Sequence, residues 1–332
     1  MMNNLNLIFF IMTLIGSIIS VSSINWISAW LGLEINMISF IPFIINNKNI
    51  FSNEASMKYF LFQASASSLF IFLCIYSSYY NFIYNFNLFY WKSIIIMVPL
   101  LMKLGAAPFH FWFVSVMQSF NWISCYIVMT WQKLAPLFLL FFLNKNSFMI
   151  ILFIILSSLV GSIGGISQTS MNKIMAFSSI NNLAWMLTTT LFNKITMLMF
   201  FMFYMFMTLF SVMILQKNMI YWINQTSSIN SFMIWSISIL SMSGLPPLVG
   251  FLPKWMIIQI LMLNDQFFLS FMLIFSALIT LIFYLRLIYN TMIFSMQFQK
   301  WMLFNYNSLD YFNSTMLVVT SMGLIFYNLF IC

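Results

Sequence analysis

Carboxylates are nearly missing from this chain: 332 residues hold 4 Asp and Glu, 1 histidine and 3 cysteines. Each shortage removes a class of chemistry. A single histidine, His110, cannot supply the several axial ligands of a haem or haem–copper centre, which excludes cytochrome b and oxidase core subunits. Cys74, Cys125 and Cys332 stand apart without CxxC spacing, so they form neither a disulfide framework nor a metal ligand set and read as inert thiols. No glycine-rich phosphate loop and no dinucleotide fingerprint occur. The expectation is a chain that holds no cofactor and no metal of its own. Charged residues make up 5% of the chain and hydrophobic ones 63%, with a mean hydropathy of +1.00, against roughly 25% charged and 45–50% apolar in a soluble domain. Water cannot be its solvent.

What is present is a series of long apolar runs. A hydrocarbon core about 30 Å thick takes about 20 apolar residues per helix, and only helices or closed barrels satisfy their backbone groups there. The runs are continuous, so helices are expected, near 5–22, 25–45, 56–79, 93–112, 123–143, 147–167, 173–192, 195–215, 232–263 (interrupted), 267–290 and 315–331. The fold class is therefore an all-α polytopic membrane protein of about eleven transmembrane helices.

The net charge of +8 does not point to nucleic acid, because the 12 Lys and Arg are scattered and form no basic cluster. It reads instead as topology. An odd span count puts the termini on opposite sides; Lys48, Lys58, Lys173, Lys217, Lys300 and Arg286 then fall on the side of the N-terminus, and Lys92, Lys145 and Lys194 on the other. The bias places the N-terminus on the inner side. Met1-Met2-Asn3-Asn4 runs straight into Leu5–Val21 with no basic flank or cleavage site, so no targeting precursor is expected. Lysine outnumbers arginine eleven to one, and Met, Ile, Phe, Asn and Tyr are in excess, as AT-rich codons in an organelle gene would give.

Half of all glycines and prolines sit in two windows, Pro99, Gly105 and Pro108 in one and Gly244, Pro246, Pro247, Gly250 and Pro253 in the other. Proline removes a helical donor and clashes with the preceding turn, so each window should split a span into two half-helices with free backbone groups. Paired broken helices in corresponding halves of a transporter point to an ion site. The halves here are 5–143 and 147–290, followed by a connection at 291–314 and a last helix at 315–331.

Four ionisable residues fall inside spans: Glu34, Lys103, Lys133 and Lys254. A charge at mid-bilayer costs about 2.5–3.5 kcal/mol even on the lenient insertion scale, which makes function the default reading. Each has a blander alternative. Glu34, two residues before Asn36, can be a structural acid tied into an ion pair; Lys103 can snorkel from a helix end, or its ammonium can rest on carbonyls freed at the first break. Lys133, flanked by Gln132 and ahead of Pro136, is too central to snorkel. Lys254 reads equally as an interfacial lysine beside Trp255. His110, two residues past Pro108, is either a hydrogen-bonded structural residue or a proton relay. Ser178, Ser179, Asn181 and Asn182 interrupt the span 173–192 and serve either to hold water or as interhelical glue.

Three strings share one resemblance: Trp30-Leu31-Gly32-Leu33-Glu34-Ile35-Asn36-Met37, KLGAAPFHFW at 103–112, and GLPPLVGFLPKW at 244–255. Together they resemble the antiporter-like subunits of respiratory complex I, the proton-pumping NADH:ubiquinone oxidoreductase. The short length suits the subunit 2 branch better than subunits 4 and 5. The resemblance implies two inverted five-helix repeats, each with a broken helix, plus a final helix. It implies that Glu34 pairs with Lys103 of the first broken helix, that Lys133 is the central lysine and Lys254 the exit-side lysine of the second, and, weakly, that His110 takes part. It also implies a multi-pass protein of the mitochondrial inner membrane, next to subunits 4 and 4L and lipids such as cardiolipin. NADH, FMN, iron–sulfur clusters and ubiquinone would be bound by other subunits. The implied activity is proton translocation by buried Glu/Lys pKa switching coupled to electron transfer from NADH to ubiquinone.

Rival readings remain. A stand-alone cation/proton antiporter shares the bundle and its charges. A rotary-ATPase proton channel needs a mid-membrane arginine, and Arg286 sits too near a span end. A membrane scaffold has no need of four buried charges.

Overall fold

The computed structural model describes residues 4–45, 50–83, 89–143, 148–228 and 232–298. Its regular elements are helices, apart from one isolated bridge between Ser170 and Trp222. The chain divides into two compact units, residues 1–156 and 157–332, with the boundary inside one helix.

The first unit contains α1 (Asn4–Ser22), α2 (Trp26–Ile44), α3 (Ile50–Ile83), α4 (Phe89–Leu104), α5 (Phe111–Ser119), α6 (Trp122–Met129), α7 (Trp131–Phe142) and the start of α8 (Phe148–Ile166). Lipid tails offer no hydrophobic drive for helix association, so backbones approach wherever side chains are smallest. At the crossing of α1 and α2 a Cβ on Gly16 would lie 2.7 Å from the Asn36 nitrogen, and one on Gly32 2.5 Å from the Ser20 nitrogen. α3 packs on α2, α4 and α5, while α7 packs on α1, α4 and α6.

The second unit contains the rest of α8, α9 (Met171–Leu191), α10 (Lys194–Lys217), a 3-10 turn (Ile223–Ser228), α11 (Phe232–Ser243), α12 (Phe251–Leu263) and α13 (Phe267–Phe298). α9 lies against α10, α12 and α13, and all its residues except Lys173 and Leu191 are buried. That burial explains its polarity. Serines and threonines along it satisfy themselves by bonding back one turn, as Ser178 does to Met175 O at 2.8 Å and Thr188 to Trp185 O at 2.7 Å.

Among the described residues, seven helices are long and apolar enough to cross a membrane. The span 93–112 is divided at its glycine–proline window into α4 and α5, the latter running on to Ser119, and 232–263 at its window into α11 and α12, so neither offers one long apolar helix. α9 occupies the expected span 173–192 but falls short in hydropathy, because it faces protein rather than lipid. α13 continues to Phe298, into the segment read as a connection; residues 299–314 and the expected last helix at 315–331 lie outside the described residues.

Candidate functional site

Both glycine–proline windows end a helix in the same way. Gly105 and Gly244 adopt φ of 69° and 85°, the left-handed conformation that closes a helix at its C-terminus. At the first break Gly105 N bonds Met102 O at 3.0 Å and Ala106 N bonds Leu101 O at 3.1 Å, the crossed pair that satisfies two of the last carbonyls. Trp112 Nε1 donates to Met102 O at 3.2 Å, and Gln63 Nε2 of α3 donates to Lys103 O at 3.2 Å.

Lys103 is the penultimate residue of α4, and its side chain is 6% exposed, so it does not snorkel outward. The carbonyls freed here are taken by amides and an indole rather than by its ammonium. Glu34, half-buried on α2, acts electrostatically on Lys103, but among the described residues the two make no ion pair within 4.0 Å. His110 immediately precedes α5 without a side-chain capping bond; its Nδ1–H donates to Pro108 O at 3.2 Å and its ring lies 4.1 Å from that of Phe111.

Lys133 is 2% exposed on α7, with its ammonium 5.0 Å from the Phe113 ring centroid, within cation–π range. Its helix is interrupted as well. Thr130 separates α6 from α7 at φ −115°, ψ −77°, and its hydroxyl donates to Tyr126 O at 2.7 Å. Beside Lys133, Gln132 Nε2 donates to Asn36 Oδ1 at 2.9 Å, and Tyr59 Oη donates to Gln132 Oε1 at 3.4 Å. A part-buried polar chain of Asn36, Gln132 and Tyr59 thus joins α2, α3 and α7.

The second break, in the other unit, is where an ammonium does sit on freed carbonyls. Lys254 on α12 reaches back and donates to Ser243 O at 2.6 Å and Met242 O at 3.3 Å, the last carbonyls of α11. Its stem crosses Gly244, where a Cβ would lie 2.8 Å from Lys254 Cδ. The Trp185 ring of α9 lies 5.7 Å from its ammonium. Asn182, Tyr204, Ser241 and Lys254 share a cavity of about 20 Å³, room for one water. At 6% exposure Lys254 is no interfacial lysine.

The first unit therefore carries Glu34, Lys103, His110 and Lys133, of which Glu34 and Lys103 interact electrostatically, and the second carries Lys254 with Asn182 of α9. Tyr59, Gln63 and Gln132 were not singled out by sequence reasoning as site residues. A signal existed, since Tyr59 and Gln63 are four apart and so share one face of α3. Chemically, these groups can hold, pass and accept protons.

The family profile described as NADH:quinone oxidoreductase/Mrp antiporter, TM matches residues 23–280. The NADH-ubiquinone oxidoreductase chain 2 of Anopheles gambiae is 44% identical over 310 residues, 90% of this chain and 89% of the relative. That of Aedes aegypti is 41% identical over 327 residues, 96% and 94% of the two chains. Among solved structures, a chain of respiratory complex I from Thermus thermophilus with bound aureothin superposes with a TM-score of 0.81 at 18% identity, covering 97% of this chain and 78% of that one. A chain of the Mrp complex from a Dietzia species gives 0.71 at 11% identity, covering 84% and 59%. The structural likenesses bear on fold alone.

Proposed function

This chain belongs to the NADH:quinone oxidoreductase/Mrp antiporter transmembrane family, and from that premise we propose that it carries protons within the membrane arm of respiratory complex I. It is a subunit of an enzyme complex, as the shared name of its relatives, NADH-ubiquinone oxidoreductase chain 2, supports. Its partners are other complex I subunits, with subunits 4 and 4L and cardiolipin as the specific neighbours proposed. Its place is the mitochondrial inner membrane. Flavin, iron–sulfur clusters and quinone belong to other subunits, and this chain holds no redox centre.

The observation that carries the proton-transfer reading is the burial of three ammonium groups on three interrupted helices, Lys254 against carbonyls, Lys133 against an aromatic face and Lys103 within the field of Glu34. A charge brought to 4 Å of another changes its proton affinity by about 4 kcal/mol at an effective dielectric of 20, about a thousandfold in the protonation equilibrium. Movement of Glu34 relative to Lys103 is therefore enough to load or release a proton there. Tyr59 and its amide partners then tie α2 and α3 to the Lys133 helix, and the polar face of α9 serves Lys254.

The deciding experiment is purification of the chain from its native membrane. Copurification with flavin- and iron–sulfur-bearing subunits, and NADH-driven proton uptake by the resulting vesicles, is expected. A chain that purifies free of redox subunits and exchanges sodium for protons would be the antiporter instead.

A further inference from the structure

Where α8 ends, α9 begins and α10 leads into the 3-10 turn, Thr169, Trp222, Ile223, Asn224, Arg286 and Asn290 line a half-open cavity of about 430 Å³. That lies within the roughly 300–1,000 Å³ of ordinary small-molecule sites. Arg286 is the sole arginine of the sequence. Its Nη1 donates to Ile166 O, and its Nη2 donates to Gln168 O at 2.7 Å, which caps α8 and fixes the plane of the guanidinium. A guanidinium carries five N–H groups, so each terminal nitrogen keeps a hydrogen beyond these two bonds.

Among the described residues no carboxylate lies within 4.0 Å of Arg286. Asp265, the described acid of this unit, sits in the turn before α13, at the far end of that helix from Arg286. A planar cation held rigid beside an open polar cavity, with no carboxylate against it, is the arrangement that selects an oxyanion, and a guanidinium fork fits phosphate. We infer that this cavity binds a phosphate group, with Arg286 as the charged donor and the Asn290 amide and Thr169 hydroxyl as neutral ones. Trp222 and Tyr289 are exposed at the same end, 52% and 63%, and Trp and Tyr collect at the membrane–water boundary. The phosphate is therefore that of a lipid headgroup. The site does not depend on the proton-transfer reading.

The test uses the intact membrane complex and a phosphatidylglycerol bearing a photoreactive headgroup, with labelled peptides read by mass spectrometry. Peptides containing Trp222 or Asn290 should be labelled in the unaltered protein, and labelling should fall about tenfold or more in Arg286→Gln, the loss of a charge-assisted bond. Arg286→Lys, which keeps the charge without the fork, should retain part of it. Because Arg286 also caps α8, Asn290→Asp is the second variant: it leaves the cap in place, sets a negative charge in the cavity and should depress labelling as well. If millimolar inorganic phosphate displaces the probe, the oxyanion site stands and its occupant is soluble phosphate; if not, it is the lipid. Equal labelling in the unaltered protein and both variants overturns the site.

Discussion

The three buried lysines meet one need, keeping an ammonium out of hydrocarbon, in three ways. Lys254 rests on the terminal carbonyls of a half-helix, Lys133 faces an aromatic ring, and Lys103 lies within the field of Glu34. If Lys133 passes protons, charge alone will not replace it. Lys133→Ala removes both charge and carrier, whereas Lys133→Arg keeps a charge that does not release its proton at accessible pH. Both variants should therefore lose most NADH-driven proton uptake in vesicles while assembly persists; a near-normal arginine variant would show that Lys133 only balances charge. Glu34 and Lys103 act through space beyond ion-pair distance. Glu34→Gln and Lys103→Met should each impair uptake, and the double variant should be milder than the product of the singles by about fivefold, a coupling on the order of 1 kcal/mol. Independent multiplication of the two losses would separate their roles. All five titratable candidates were legible as unusual residues, because a charge inside an apolar run is conspicuous. Which carbonyls each would meet was not, since Lys254 bonds residues 11 and 12 positions earlier through a turn whose geometry no pattern encodes.

At the scale of elements, proline and glycine made two broken helices readable, and a third interruption escaped notice. Thr130 breaks the Lys133 helix with neither glycine nor proline at the break. Its hydroxyl adds a second bond to the Tyr126 carbonyl that its own amide already meets, and Pro136, four residues past Gln132, removes the amide that would bond the Gln132 carbonyl. α9 was visible as a polar span, but hydropathy cannot tell a helix enclosed by protein from one lining water. The second break supplies a separable pair of variants. A Cβ on Gly250 would lie 1.7 Å from Ser241 O, a backbone atom, so Gly250→Ala must push α11 and α12 apart and should leave little assembled complex on native gels. Gly244→Ala meets mainly the flexible Lys254 side chain, at a cost of about 1–2 kcal/mol for the left-handed backbone. It should assemble and lose proton uptake. Similar abundance of both variants would mean that the half-helices are not held by the Gly250 contact.

For the molecule as a whole, the remaining question is which way it crosses the membrane, and α10 offers a direct measurement. It has 24 residues, about 36 Å at 1.5 Å per residue, enough to span the hydrocarbon core. A lysine stands at each end, Lys194 and Lys217, and both are exposed. The buried ammonium groups of Lys103, Lys133 and Lys254 are shielded from any reagent in water, so α10 reports orientation without background from them. Positive residues gather on the inner side, and the charge bias puts Lys217 with the N-terminus there and Lys194 opposite. In vesicles with the matrix face outward, a membrane-impermeant amine reagent should label Lys217 and leave Lys194 untouched, and opening the vesicles should expose Lys194 as well. Labelling of Lys194 alone from outside would invert the topology, and with it the side on which the Arg286 cavity opens. Labelling of both from one face would mean that α10 does not cross at all.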